Sequence, residues 1–152
     1  MIAMPNDEGA RIDRRRFLAG CAGAVAAMGL PGCASLVTRS VTPVDGRVEL
    51  QLSQHPELLE RGGYLKVEPK GYPDEVYVVA LEDGGYAALS PICTHLGCTV
   101  EIEGERLVCP CHGSTYSRSG TVLQGPAQEP LRRYPSRVTA DGVLIITLRG
   151  TA

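Results

Sequence analysis

Two short runs constrain this chain more than anything else in it. They are Cys93-Thr94-His95-Leu96-Gly97-Cys98 and Cys109-Pro110-Cys111-His112-Gly113-Ser114, with ten residues between them. Each run offers a thiol and an imidazole at close spacing, as Cys-x-His in the first and Cys-x-x-His in the second. Two thiolates and two imidazoles, one of each per run, suit a [2Fe–2S] cluster in which sulfur ligates one iron and nitrogen the other. Zinc is the competing metal, but zinc fingers group a Cys pair and then a His pair at longer internal spacings. A disulfide framework in an exported domain is the metal-free reading. It accounts for four cysteines and leaves the histidine in each run without a reason.

The runs fall at the turns of a β-rich pattern. Val48, Leu50 and Leu52 alternate with polar residues, the period of a half-buried strand. Gly62-Gly63 marks a turn before a strand at 64–67. Strands at 75–81 and 86–90 flank Asp83-Gly84-Gly85, a hairpin signal, and the first run follows directly. A second hairpin, 99–103 and 106–108 around Gly104, delivers the second run. Ser119-Gly120 turns the chain into 121–123, and a last hairpin, 137–148, turns at Asp141-Gly142. Residues 56–61 hold at most one or two helical turns, and His55 reads as an exposed loop residue. With one Phe and no Trp, the core must come from aliphatic side chains and the six Tyr. Many short strands with glycine turns and no internal repeat predict an all-β antiparallel sandwich or barrel-like domain.

The whole constellation, with a second cysteine in each run, resembles the Rieske iron–sulfur family, and most of all its high-potential branch in quinol-oxidising, cytochrome bc-type complexes. The resemblance is strong over about residues 87–130. It implies a Rieske fold with a small cluster-binding subdomain at about 91–130 and one [2Fe–2S] cluster per chain. Cys93 and Cys109 are then the ligands of one iron, and His95 and His112 those of the other. Imidazoles in place of two thiolates make the oxidised cluster less negative, which raises its potential toward about −150 to +300 mV. By the same resemblance, Cys98 and Cys111 form a disulfide between the loops. Ser114 and Tyr116 match hydroxyl donors to a bridging sulfide and to the first cysteine's sulfur, which stabilise added negative charge. Gly97 and Gly113 are expected to let backbone N–H groups approach sulfur. Gly125-Pro126-Ala127-Gln128-Glu129-Pro130 resembles the family's proline-rich cover loop, with Gln128-Glu129 as a departure from its pattern. His112 and Leu96 are the expected quinol contacts, with the Pro126 loop shaping the approach.

The first 33 residues read as an address. Arg14-Arg15-Arg16-Phe17-Leu18 and the Gly/Ala-rich run after it resemble a twin-arginine export signal. An ordinary secretory signal shares that basic-then-apolar pattern. Leu30-Pro31-Gly32-Cys33 resembles a lipobox, which makes Cys33 the expected lipidated N-terminus and places the domain on the outer, periplasmic face of the membrane. The alternative is a retained anchor over 17–38, long enough to span a bilayer but poor in Leu and Ile. Cys21, inside that run, is assigned no chemistry. Residues 34–46 read as a linker and 47–152 as the domain.

Those 33 residues carry four of the fifteen basic and three of the seventeen acidic side chains, so eleven against fourteen remain in the rest. Such a balance excludes the cationic surface that nucleic acid requires. The expected function is electron transfer as a subunit of a membrane-linked, quinol-oxidising complex, with a cytochrome c-like acceptor. The alternatives are the small subunit of another exported oxidoreductase, such as an arsenite oxidase-like enzyme, and a zinc- or disulfide-stabilised binding module. The chain does not read as a complete enzyme, since nothing besides the cluster region could hold a substrate.

Overall fold

The computed structural model describes residues 37–148; the arginine run, Cys21 and Cys33 lie outside the described residues. Twelve strands follow in order: β1 (Val37–Val41), β2 (Arg47–Gln51), β3 (Tyr64–Pro69), β4 (Val76–Ala80), β5 (Tyr86–Leu89), β6 (Glu101–Glu103), β7 (Arg106–Val108), β8 (Thr115–Ser117), β9 (Val122–Gln124), β10 (Arg133–Tyr134), β11 (Ser136–Val138) and β12 (Val143–Thr147). The only helical pieces among the described residues are single 3-10 turns at Leu52–Gln54 and Pro56–Leu58. None is long and apolar enough to cross a membrane. The all-β expectation is met.

The strands form three sheets, ordered β1-β3-β4-β5-β10, β11-β12-β2 and β6-β7-β8-β9. Strand β4 shows how they stack. All five of its residues are buried. Because successive side chains on a strand point to opposite faces, they alternate between two cores. Val76 and Val78 join Val48, Leu50, Leu144 and Ile146 of the three-stranded sheet. Tyr77 and Val79 join Leu107 and Tyr116 of the four-stranded sheet. The five-stranded sheet is therefore the middle layer of three. Strands β4 and β5 at its centre read as continuous apolar runs because both faces are covered, unlike an antiparallel sheet with one wet face.

Two sequence expectations change, and one strand appears for which the sequence carried no expectation. Val37–Val41, assigned to the linker, pairs in parallel with β3, from Val37 opposite Leu65 to Val41 opposite Pro69. Val37 and Val41 are half-buried against the first core, which gives this short segment its reason to pair. The chain then reverses at Asp45-Gly46, both at positive φ, with Val44 bridged to Arg47. His55 is buried at 8% exposure rather than open to solvent. It sits at the junction of two successive 3-10 turns that bury Leu52 and Leu58, with its Nδ1 3.4 Å from Glu57 Oε1. Thr115–Ser117, which carries no strand signal of its own in the sequence, pairs with both β7 and β9.

Candidate metal centre

Residues 93–98 lie between β5 and β6, and residues 109–114 between β7 and β8. The two loops are closed in the same way. Cys93 N–H donates to Cys98 O at 2.8 Å, and Gly97 N–H to Cys93 O at 2.9 Å. Cys109 N–H donates to Ser114 O at 2.8 Å, and Gly113 N–H to Cys109 O at 2.9 Å. Each loop thus begins on a buried cysteine and turns at a glycine with φ near +78° or +75°. A Cβ on Gly97 or Gly113 would meet no protein atom within 4 Å. These positions require glycine for its left-handed backbone.

The expected ligands meet in two pairs, Cys93 with Cys109 and His95 with His112. Cys93 and Cys109 are unpaired thiols, 2% and 1% exposed. The His95 and His112 rings stand edge to face, their centroids 4.9 Å apart. His112 is exposed and His95 half-buried. Beside them Leu96 projects into solvent, 68% exposed. His95 Nδ1 is buried without a hydrogen-bond partner among the described residues. Buried polar atoms ordinarily find partners, so this nitrogen is left as a ligand atom would be.

Cys98 and Cys111 form a disulfide that ties one loop to the other, with Cα atoms 6.5 Å apart. Both its sulfurs lie within 4.8 Å of Cys109 Sγ. That trio is not itself a metal site, since two of its three sulfurs are bonded to each other.

Hydroxyl groups surround the Cys93 sulfur. Tyr116, fully buried on β8, places Oη 3.2 Å from Cys93 Sγ. Thr94 N–H donates to the same oxygen at 3.3 Å, and Thr94 Oγ1 lies 3.2 Å from it. Thr94 Oγ1 also donates to Glu129 O at 2.7 Å. A carbonyl can only accept, so the single Thr94 hydroxyl proton is committed there and Thr94 accepts from Tyr116. The Tyr116 proton is therefore shared between Cys93 Sγ and Thr94 Oγ1. Ser114, also fully buried, accepts from Ala127 N–H at 2.9 Å and keeps its own proton free for the thiols.

These contacts shift the thiol's acidity. Burial pushes the Cys93 thiol up, but hydrogen bonds outweigh it, from Tyr116 first and then the His95 backbone, Cys109 and Ser114. The net result is a thiol more acidic than usual, favouring the thiolate that binds metal. The Tyr116 hydroxyl moves the other way, raised by burial and by its bond to Cys93.

The third loop closes over the first two. Ala127 is buried at 4% exposure and bound to Ser114, while Glu129 lends its carbonyl to Thr94. The departure at Gln128-Glu129 leaves that attachment intact because it uses backbone groups. Two contributors escape a reading of the sequence. The Ala127 N–H leaves no trace there. Thr94 does leave one, a hydroxyl between two ligand positions.

The donor set fits a [2Fe–2S] cluster: two neighbouring reduced thiols, one held toward thiolate, and two adjacent imidazoles, one with an unpartnered nitrogen. Residues 50–135 match the family described as the Rieske [2Fe-2S] domain. Over 151 residues the chain is 29% identical to the cytochrome b6-f complex iron-sulfur subunit of Chlorobaculum tepidum, covering 95% of this chain and 82% of that protein. The subunit of the same name from Synechococcus elongatus is 41% identical over 78 residues, 49% of this chain and 43% of that one. Among solved structures, naphthalene 1,2-dioxygenase with indole bound aligns at a TM-score of 0.55 and 21% identity, over 68% of this chain and 26% of that one. This last likeness concerns the fold alone.

Proposed function

Because this chain belongs to the Rieske [2Fe–2S] domain family, carries one such cluster and serves electron transfer, we propose that it is the iron–sulfur subunit of a quinol-oxidising membrane complex. When bound, the cluster supplies one-electron redox chemistry. Cys93 and Cys109 hold one iron and His95 and His112 the other. Ser114 and Tyr116 direct their hydroxyl protons at the sulfurs, where they stabilise added negative charge and raise the potential. The Cys98–Cys111 disulfide and the 125–130 loop keep the two metal loops together and exclude water from Cys93 and Cys109.

The single observation that carries the quinol reading is the exposed tip. His112 faces solvent, 4.9 Å from His95, beside Leu96 at 68% exposure. An imidazole next to an uncovered apolar side chain suits a hydroxylated ring with an apolar body, which needs one polar partner and one apolar one. The relatives named as cytochrome b6-f iron-sulfur subunits support the same reading. A cytochrome c-like protein is the proposed acceptor. Export on the twin-arginine signal and lipidation at Cys33 would hold the domain at the periplasmic membrane face; intact mass should find Cys33 as the acylated N-terminus.

Isolation from native membranes in mild detergent tests the proposal. A haem b spectrum should co-purify with the chain, and added quinol should reduce a c-type cytochrome through it. A co-purifying molybdenum subunit would replace this reading with the other exported oxidoreductase. A protein lacking the absorption and EPR of a Rieske centre would leave only the binding module.

A further inference from the structure

We infer that Arg118 is a positioning residue for the metal centre, a latch that seats Tyr116 against Cys93 by fastening the cluster-bearing sheet to the middle sheet. Arg118 directly follows β8, two residues from Tyr116. Its side chain, 18% exposed, reaches three other segments. Nη1 lies 3.0 Å from Glu82 Oε1, in the β4–β5 turn of the middle sheet. Nη2 lies 3.8 Å from Glu105 Oε1, in the β6–β7 turn of the cluster sheet. The guanidinium carbon stands 5.8 Å from the centre of the Tyr64 ring on β3. One side chain thus spans both turns at the end of the cluster sheet away from the metal loops, together with the middle sheet they rest on.

The surroundings are shaped for this guanidinium. Gly62 has no side chain where a Cβ would overlap the guanidinium of Arg118. Tyr64 Oη, in the same corner, donates to Gly104 O at 3.4 Å, a second tie between middle sheet and cluster sheet. Arg118 Nε is buried with no partner among the described residues, so hydrogen bonding alone does not explain why an arginine is kept there. The carboxylates are 66% and 86% exposed, which makes the ion pairs weak as sources of stability. What the arrangement delivers is geometry. Strand β8 has three residues, and its pairing with β9 shifts register between Thr115 and Tyr116. So short a strand has few ladder bonds of its own to fix its position, and the 3.2 Å contact from Tyr116 Oη to Cys93 Sγ is sensitive to small displacements.

This inference rests on the proposed role of Tyr116, and the experiment separates the two. Reduction potentials and EPR spectra are measured for the holoprotein and for Arg118→Met, Tyr116→Phe and the double variant, at low and at high salt. The expected result is a lower potential in Arg118→Met, a lower one in Tyr116→Phe, and no further lowering in the double variant. Loss of a distant positive charge would also lower the potential, but that shift would persist in the Tyr116→Phe background and shrink with salt, which overturns the latch. An unchanged potential in Arg118→Met with Tyr116→Phe lowered overturns the latch alone. No shift in Tyr116→Phe overturns both. If Arg118→Met loses its cluster, Glu82→Gln and Glu105→Gln replace it. Each should lower the potential in the presence of Tyr116 and not in its absence, and Arg118→Lys should restore part of the loss.

Discussion

At the scale of single residues, the centre is governed by where a few protons point. Tyr116 is caught between Cys93 Sγ and Thr94 Oγ1, each 3.2 Å away, while Ser114 is held by Ala127 N–H with its own proton free. Ser114→Ala and Tyr116→Phe should each lower the reduction potential and leave the cluster bound, as read by protein-film voltammetry. A loss of about 30 mV corresponds to about 0.7 kcal/mol for one electron, within what one hydrogen bond supplies. Unchanged potentials in both would remove their assigned roles. A ligand behaves differently: Cys109→Ala, at a thiol 1% exposed, should give folded protein without the Rieske EPR signal. A full signal from that variant would refute the ligand set.

At the scale of elements, two loops with few apolar contacts of their own are made rigid by cross-links. Their matching backbone bonds shape each loop separately, and the Cys98–Cys111 bond joins them across a sequence separation of 13. For a loop of this length the chain-entropy estimate is about 3 kcal/mol. The Cys98→Ser/Cys111→Ser double variant should therefore release its cluster at lower temperature, followed by visible absorption during heating. Non-reducing peptide mass analysis of the unaltered protein should recover Cys98 and Cys111 in one linked species. Two free thiols beside an intact centre would contradict this account.

For the whole molecule, the middle sheet separates two cores with different duties. The core with Leu144 and Ile146 packs the three-stranded sheet, and the core with Leu107 and Tyr116 packs the sheet that carries the centre. Leu144→Ala and Leu107→Ala each empty a buried site and should cost about 2–5 kcal/mol in denaturant unfolding. Their effects on the centre should differ. Leu144→Ala should leave the potential and EPR line shape unaltered, whereas Leu107→Ala, paired opposite Tyr116, should broaden the signal or lower cluster content. Equal effects of the two on the spectrum would mean that the cores are not independent.

What the sequence determined by itself was local. The Cys and His spacings, the glycine turns and the alternation of apolar residues are near-neighbour properties, so ligand candidates, hairpins and the all-β class are legible in the chain alone. The second cysteine in each run makes the disulfide an expectation through family resemblance, and the fold contains it. The tertiary structure decided everything that depends on contacts distant in sequence. Val37–Val41 is a strand only because β3 offers it a ladder, and His55 is buried only because two successive turns fold its segment inward. The alternation of β4 between two cores is invisible in an apolar run, which reads the same for one covered face or two. Thr94 to Glu129 and Arg118 to Glu82 join residues 35 and 36 positions apart. No local pattern encodes such pairs, because the partner on each side is an ordinary loop residue until the fold brings it within reach.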